Sequence, residues 1–324
     1  MNVPPADLAH RYPRLAEMIG IDLRSLALMR VLLGLILFGS VAGASCDLVA
    51  LYTDAGVLPR ASLVEIDSRW RWSLHLVNGQ TFFIVALFGA QLVLAAMLAL
   101  GWRTRLAAVL SFVLWASLLN RNPLLVDHGD VLLCGLLFWA MFLPLSARYS
   151  ADAALATNPP PAANLHVSWA SLGLLLQLAS AVLFAAILQR GPEWFPDFSA
   201  GYYALMLDRE ALPLGRALLT VPSVLQALTT AVWAIAWIAP LLLFSPYFLR
   251  PLRLAMLVLL ALAAFGALLS LRLGLLPLLG LAGLSAFIGG WLWDALAARR
   301  RAQQPPAPLR LYYDGDCAFC LRSS

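Results

Sequence analysis

The chain has 324 residues, 62% hydrophobic and 12% charged, with a mean hydropathy of +0.82. A soluble domain is about half apolar and about a quarter charged, so this composition excludes one and makes lipid the solvent for most of the chain. The net charge of +5 is too small and too scattered for a nucleic-acid partner. All 22 basic residues are arginine, which leaves no amine side chain for Schiff-base or lysine-base chemistry.

Residues 1–22 carry prolines and acids ahead of any apolar run. That is not a cleavable signal peptide, so the first hydrophobic segment is expected to stay in the membrane. About 20 apolar residues cross a bilayer as a helix. By that length, eight candidate segments lie near 23–43, 81–100, 106–119, 131–145, 167–189, 224–244, 254–271 and 275–293. The third and fourth are short and are expected to extend into their polar flanks or to tilt little. The expected fold class is thus an all-α polytopic membrane protein of about eight transmembrane helices. Placing the N-terminus in the cytoplasm leaves the larger share of flanking arginines inside, and an even helix number returns the C-terminus to the same side.

Arg30 sits within the first segment, where a charge costs about 2.5–3.5 kcal/mol on insertion scales; it either snorkels to the near surface or finds a partner. Cys46 follows the first segment and Cys134 lies inside the fourth, where a cysteine reads as a small hydrophobe. Two connectors, 44–80 and 190–223, are long and dense in Trp, Tyr, Arg and Pro. Such residues suit the headgroup boundary, and either connector is long enough for a short interfacial helix. His75 and His166 flank segments and read as interfacial, as do the alternating Trp70 and Trp72. Gln91, Gln177 and Gln189 are candidates for bonds between helices.

The stretch "RNPLLVDHGD" places Arg121, Asn122, Asp127, His128 and Asp130 at the mouth of two helices. An acid beside an imidazole suits a general base. The competing reading has Asp130 cap the fourth helix, with the others solvated. "ATNPPPAANL" and "RRRAQQPPAPLR" are proline-stiffened polar connectors. The second, within 296–310, separates a transmembrane region, 23–295, from the last residues, 311–324.

Those last residues, "LYYDGDCAFCLRSS", read as a short strand, a turn and two cysteines opening a helix. A helix N-terminus favours thiolate at Cys317, and two intervening residues let Cys320 resolve a mixed disulfide. A zinc half-site is the alternative, but the chain holds no second Cys or His pair to complete four ligands. The motif is similar to the start of the DCC family of thiol-disulfide oxidoreductases, which are thioredoxin-like. The resemblance implies that Cys317 and Cys320 are catalytic with Asp314 beside the first thiol, working with a cytoplasmic thiol partner. A βαβ unit needs roughly thirty residues, so the domain is expected to be incomplete at Ser324.

The transmembrane region also resembles a family. "YTDAGVLPR", "RWSLH", "GWRTR", "RNPLLVDHGDVLLCGLLFWAMFLPLSARYSADA" and "LFAAILQRGPEWFPDFSAGYYALMLD" together look like the HTTM domain, which takes in bacterial membrane proteins and the vitamin K-dependent γ-carboxylases. The resemblance implies a bacterial inner-membrane protein with a pocket toward the outer leaflet, open to membrane lipid or an isoprenoid quinone. No other cofactor or metal is evident. Carried across residue by residue, it adds Gln189, Arg190 and Trp194 to the candidate pocket. The carboxylase lysine falls at Gln189, which has no titrating group, beside Arg190, which keeps its proton. Carboxylation is therefore disfavoured. A non-enzymatic scaffold or transport-like module is the alternative function.

Overall fold

The computed structural model describes residues 11–66, 72–159 and 161–303. A short helix, α1 (Pro13–Ile19), leads to strand β1 (Ile21–Asp22) and then to the long helix α2 (Leu23–Ser45). Asp22 starts α2 by accepting the Arg24 amide on Oδ1 at 2.8 Å, which supplies a partner for one of the free N–H groups of the first turn. Strand β1 pairs antiparallel with β2 (Leu165–His166), Ile21 opposite His166. The proline-rich connector is thereby tied at its end to the N-terminal segment.

The remaining helices follow in order. The connector after α2 carries α3 (Leu48–Tyr52), α4 (Arg60–Ile66) and a 3₁₀ turn, Leu74–Leu76. Then come α5 (Thr81–Leu100), α6 (Thr104–Arg121), α7 (His128–Ala140), α8 (Ala151–Leu155) and α9 (Trp169–Leu188). The second long connector holds α10 (Ala200–Met206) and α11 (Pro213–Leu218), and is followed by α12 (Pro222–Leu243), α13 (Leu249–Ser270), α14 (Leu276–Leu284), a 3₁₀ turn at Ser285–Phe287 and α15 (Gly290–Gln303). Both long connectors thus contain short helices.

Among the described residues, five helices are long and apolar enough to cross a bilayer: α2, α5, α9, α12 and α13. The protein is therefore a multi-pass helical membrane protein. The other three expected segments take different forms. Helix α6 extends to 18 residues by taking in Arg105 and Arg121, and so becomes too polar to qualify by composition. Helix α7 has 13 residues, about 20 Å at 1.5 Å per residue, against a hydrocarbon core of about 30 Å. The last segment is interrupted between Leu284 and Gly290, where Gly289 and Gly290 follow the 3₁₀ turn.

The described chain forms two compact units, one running to Gly290 and one beginning at Trp291. In the first, α2 packs along α5, α7 and α14. Its buried stripe, Met29, Leu33, Leu37 and Val41, recurs at helical spacing. At Gly34 a Cβ would collide with the Ala99 backbone of α5, so hydrogen at this position sets how closely α2 and α5 approach. The second unit within the described residues is the rest of α15, an Arg-rich helix with exposed basic residues in its last turn. The expected strand and turn at 311–316 lie outside the described residues.

Candidate functional site

The site begins where α6 ends. Asn122 precedes Pro123, whose ring disfavours helical geometry at the preceding residue, and Asn122 turns extended at φ −138° and ψ 83°. This leaves Arg121 as the last helical residue, fully buried, with its side chain against the connector that carries α3. Arg121 donates from Nε to the Tyr52 carbonyl at 3.1 Å, and from Nη2 to those of Thr53 at 3.2 Å and Leu58 at 2.9 Å. Asn122 Nδ2 donates to the Leu51 carbonyl at 3.0 Å. The last carbonyls of a helix have no partner within it; the two residues closing α6 supply them for α3. "YTDAGVLP" and "RN", far apart in sequence, are one structural unit.

The same connector carries an ion pair at its rim. Arg60 Nη2 lies 2.7 Å from Asp54 Oδ2, and Arg60 Nη1 donates to the Leu76 and Val77 carbonyls. The Arg60 hydrogen bond holds the Asp54 carboxyl below its usual range. His75, at the end of this connector, is buried within the protein, its Nδ1 2.7 Å from Ser117 Oγ. Burial, with a further push from Arg121, lowers its pKa to about 4.

Asp127 and Asp130 cap α7 reciprocally. Asp127 Oδ1 accepts the Asp130 amide at 2.9 Å, and Asp130 Oδ2 accepts the Asp127 amide at 3.1 Å. This capping box satisfies two free donors of the first turn. Asp127 and His128 are exposed, while Asp130 is half-buried. Trp115 of α6 donates to the Asp130 carbonyl at 3.1 Å, which locks the start of α7 against α6.

Between these elements lies a cavity of about 300 Å³. The last turns of α2 contribute Gly39, Ser40 and Gly43, and the other walls include Tyr52, Trp115 and Asn122. Asp130 and Leu275 also line it. Asn122 is 6% exposed, and its Oδ1 has no hydrogen-bond partner. Of the residues named from sequence, Asn122 and Asp130 line the cavity, while Arg121 sits behind its wall, bonded to the connector. Gln189, Arg190 and Trp194 do not line it. Gln189 closes α9, Arg190 Nε donates to the Ile187 carbonyl at 2.9 Å, and the Trp194 amide donates to Gly191 in the following turn. Cys317, Cys320 and Asp314 lie outside the described residues, as does Trp70. Sequence reasoning did not single out Tyr52, Trp115 or Gly43, because an aromatic residue or a glycine in an apolar run carries no signal of facing a void.

A second polar cluster lies at the other end of α2. Arg30 is 1% exposed, too deep to snorkel, and donates from Nη2 to the Tyr149 carbonyl at 2.6 Å. Asp152 accepts the amides of Arg103 and Thr104 at 2.7 and 2.9 Å and so caps α6 from a distant stretch. "GWRTR" and "RYSADA" thus meet around Arg30. Among the interhelical candidates, Gln177 Oε1 accepts from Trp139 Nε1 at 2.5 Å and Gln91 Nε2 reaches the Ser111 carbonyl at 3.4 Å. Cys46 is exposed and Cys134 half-buried, both as free thiols. Among the described residues no group of three or more His, Cys, Asp or Glu side chains is placed to hold a metal.

Compared with protein-family models, curated proteins and solved structures, the chain finds no match.

Proposed function

We propose that the protein is a lipid-binding membrane module: the cavity between α2, α6 and α7 receives the head of a lipid or isoprenoid quinone, and Cys317 and Cys320 belong to an adjoining domain that exchanges disulfides with a cytoplasmic thiol partner. One observation carries the first part. A mostly apolar cavity of about 300 Å³ stands at the end of a membrane-length helix, with Asp130 the one charged residue in its lining. Ligand sites are typically concave and apolar with a few placed polar groups. The second part rests on the spacing of the two cysteines and on the resemblance to DCC oxidoreductases.

In this reading α6, α7 and the interrupted final segment complete eight crossings, with both termini on the cytoplasmic face of a bacterial inner membrane. The resemblance to HTTM proteins supports it, along with the bias of flanking arginines. Carboxylation is not part of the proposal, because the chain contains no lysine. The engagement of Asp127 and Asp130 in a helix cap also favours an anchoring role for them over base catalysis.

Gly43 provides the test. A Cβ built there meets nothing within 4 Å, so Gly43→Leu projects into open space, and leucine is a better helix former than glycine. Native mass spectrometry of the protein released from detergent should show bound lipid in the parent and its loss in Gly43→Leu, with the melting temperature maintained. Identical lipid occupancy in the two proteins would sink the reading and favour a scaffold whose cavity has no ligand.

A further inference from the structure

We infer that the turn joining α5 to α6 is a binding surface for an anionic phospholipid, with Arg103 and Arg105 on its headgroup and the exposed face of α6 along its acyl chain. This surface lies at the end of α2 marked by Arg30, away from the cavity, and the inference does not rest on the cavity reading.

The turn is held in a conformation that its sequence does not favour. Gly101 is left-handed at φ +73°, and so is Arg103 at φ +44°. Glycine adopts that region freely, whereas a residue with a Cβ does so at a cost. Asp152 braces the turn. Its carboxylate accepts the Arg103 and Thr104 amides and the Thr104 hydroxyl at 2.8 Å, and its own amide donates to the Gly101 carbonyl at 2.9 Å. Arg30 packs its guanidinium against Gly101 and donates to the carbonyl of Tyr149, itself left-handed at φ +49°. Backbone strain fixed by surrounding contacts concentrates at ligand sites.

The side chains displayed by this turn are not used by the fold. Arg24, Arg60 and Arg250 pair with carboxylates, and Arg121 and Arg253 bond backbone carbonyls. Arg103 and Arg105 are exposed, and among the described residues neither guanidinium has a carboxylate or carbonyl partner; that of Arg103 lies 5.8 Å over the Trp102 ring. With Arg30 behind them, three arginines face the single carboxylate of Asp152, so the turn is positive.

The surroundings are those of a headgroup boundary. Helix α5 is of membrane length and ends at Leu100, and the exposed Trp102 follows within two residues, where tryptophan suits the interface. On α6, Leu106 and Leu110 are exposed one turn apart, on the same side of the helix. Free arginines above an apolar stripe complement an anionic head above a hydrocarbon tail. Guanidinium pairs with phosphate through parallel N–H bonds. A choline headgroup brings its own cation against these arginines and gains less. A soluble phosphate would leave the apolar stripe unused.

The experiment titrates the delipidated full-length protein with dioleoylphosphatidylglycerol and dioleoylphosphatidylcholine, read by native mass spectrometry, in the parent and in Arg103→Asn/Arg105→Gln. Asparagine suits left-handed geometry and glutamine sustains a helix, so the melting temperature should hold. An arginine at an anionic surface contributes about fivefold in affinity. The double variant should therefore bind the glycerol lipid about twentyfold more weakly, with a much smaller change for the choline lipid. Arg105→Gln alone, on a regular helix, should lose about fivefold and carries the test if Arg103→Asn disturbs the turn. Unchanged glycerol-lipid affinity, or an equal loss for both lipids, would overturn the inference. Competition by sn-glycerol 3-phosphate at lipid-like concentrations would also overturn it and leave a soluble anion as the ligand. Gly43→Leu, which acts at the cavity, should leave the preference for the glycerol lipid in place; its disappearance there would remove the assignment to this turn.

Discussion

Arg30 occupies the space that a side chain at position 101 would need. Gly101 ends α5 in the left-handed region at φ +73°, and a Cβ built there would overlap Arg30 Nη1. The glycine therefore does two things at once: it takes a backbone conformation unfavourable for other residues, and it leaves room for a buried guanidinium from α2.

Replacing that hydrogen should be costly. Gly101→Ala combines a left-handed penalty of about 1–2 kcal/mol with displacement of Arg30 from the Tyr149 carbonyl. A loss of about 3 kcal/mol is expected, at the upper end for single substitutions. Thermal unfolding in detergent measures it. Gly34→Ala, which instead pushes α2 from α5, should destabilise without disturbing the Arg30 bond. A Gly101→Ala melting temperature equal to that of the parent would contradict the relationship.

Arg121→Met removes three bonds to the connector and leaves the carbonyls of Tyr52, Thr53 and Leu58 without their guanidinium donor. Truncating one partner in a buried charged network typically costs about 3–5 kcal/mol. Here the loss should be local, because the contacts belong to the connector. Hydrogen exchange in residues 48–60 should accelerate while the core of α5 keeps its protection. Uniform loss of protection would instead assign Arg121 to the core.

His75 makes stability fall with acid. Its folded pKa is about 4 against a reference of 6.5, so between these values the unfolded chain binds a proton that the folded chain does not. Stability is full above about 6.5, declines as pH falls toward about 4, and the decline is of the order of 3 kcal/mol. Asp54 acts in the same sense at lower pH, since its carboxyl is also held below its usual value. Melting curves between pH 7 and pH 4 should show this slope, and His75→Gln should flatten its upper part. The same slope in both proteins would place the titration elsewhere.

Cys46 reports the topology. It is an exposed free thiol just beyond α2. If residues 1–22 are cytoplasmic, a membrane-impermeant maleimide added to intact cells labels Cys46, and Cys46→Ser abolishes that labelling. Labelling only after the membrane is opened would reverse the orientation.

Thiol exchange should depend on Cys317. In the native protein, Cys317→Ser should remove disulfide exchange with a dithiol substrate, while Cys320→Ser should trap the mixed disulfide. Exchange unaffected by either change would detach the redox proposal from this motif.

The membrane class and most of the helices were legible in the sequence because both depend on local quantities. The run from Leu23 to Ser45 or from Thr81 to Leu100 states its own solvent through its hydropathy, and Asp130 reads as a capping acid at the head of an apolar run, whereas the N-cap role of Asp127 emerged only in the structure. Crossing number was less legible. Whether the run beginning at Leu276 continues as one helix depends on the glycines at 289 and 290, and α6 gains its length from polar ends that hydropathy discounts. What only the tertiary structure decided is where the buried charges find their partners. Arg30 could have reached the surface by its length, and Arg121 could have faced solvent at a helix end. Each instead bonds backbone carbonyls more than sixty residues away in sequence, and carbonyls leave no mark in a side-chain pattern. The cavity is likewise a property of spacing between helices: Gly43, Tyr52, Trp115 and Asn122 are ordinary residues in the chain, and packing alone leaves a space among them.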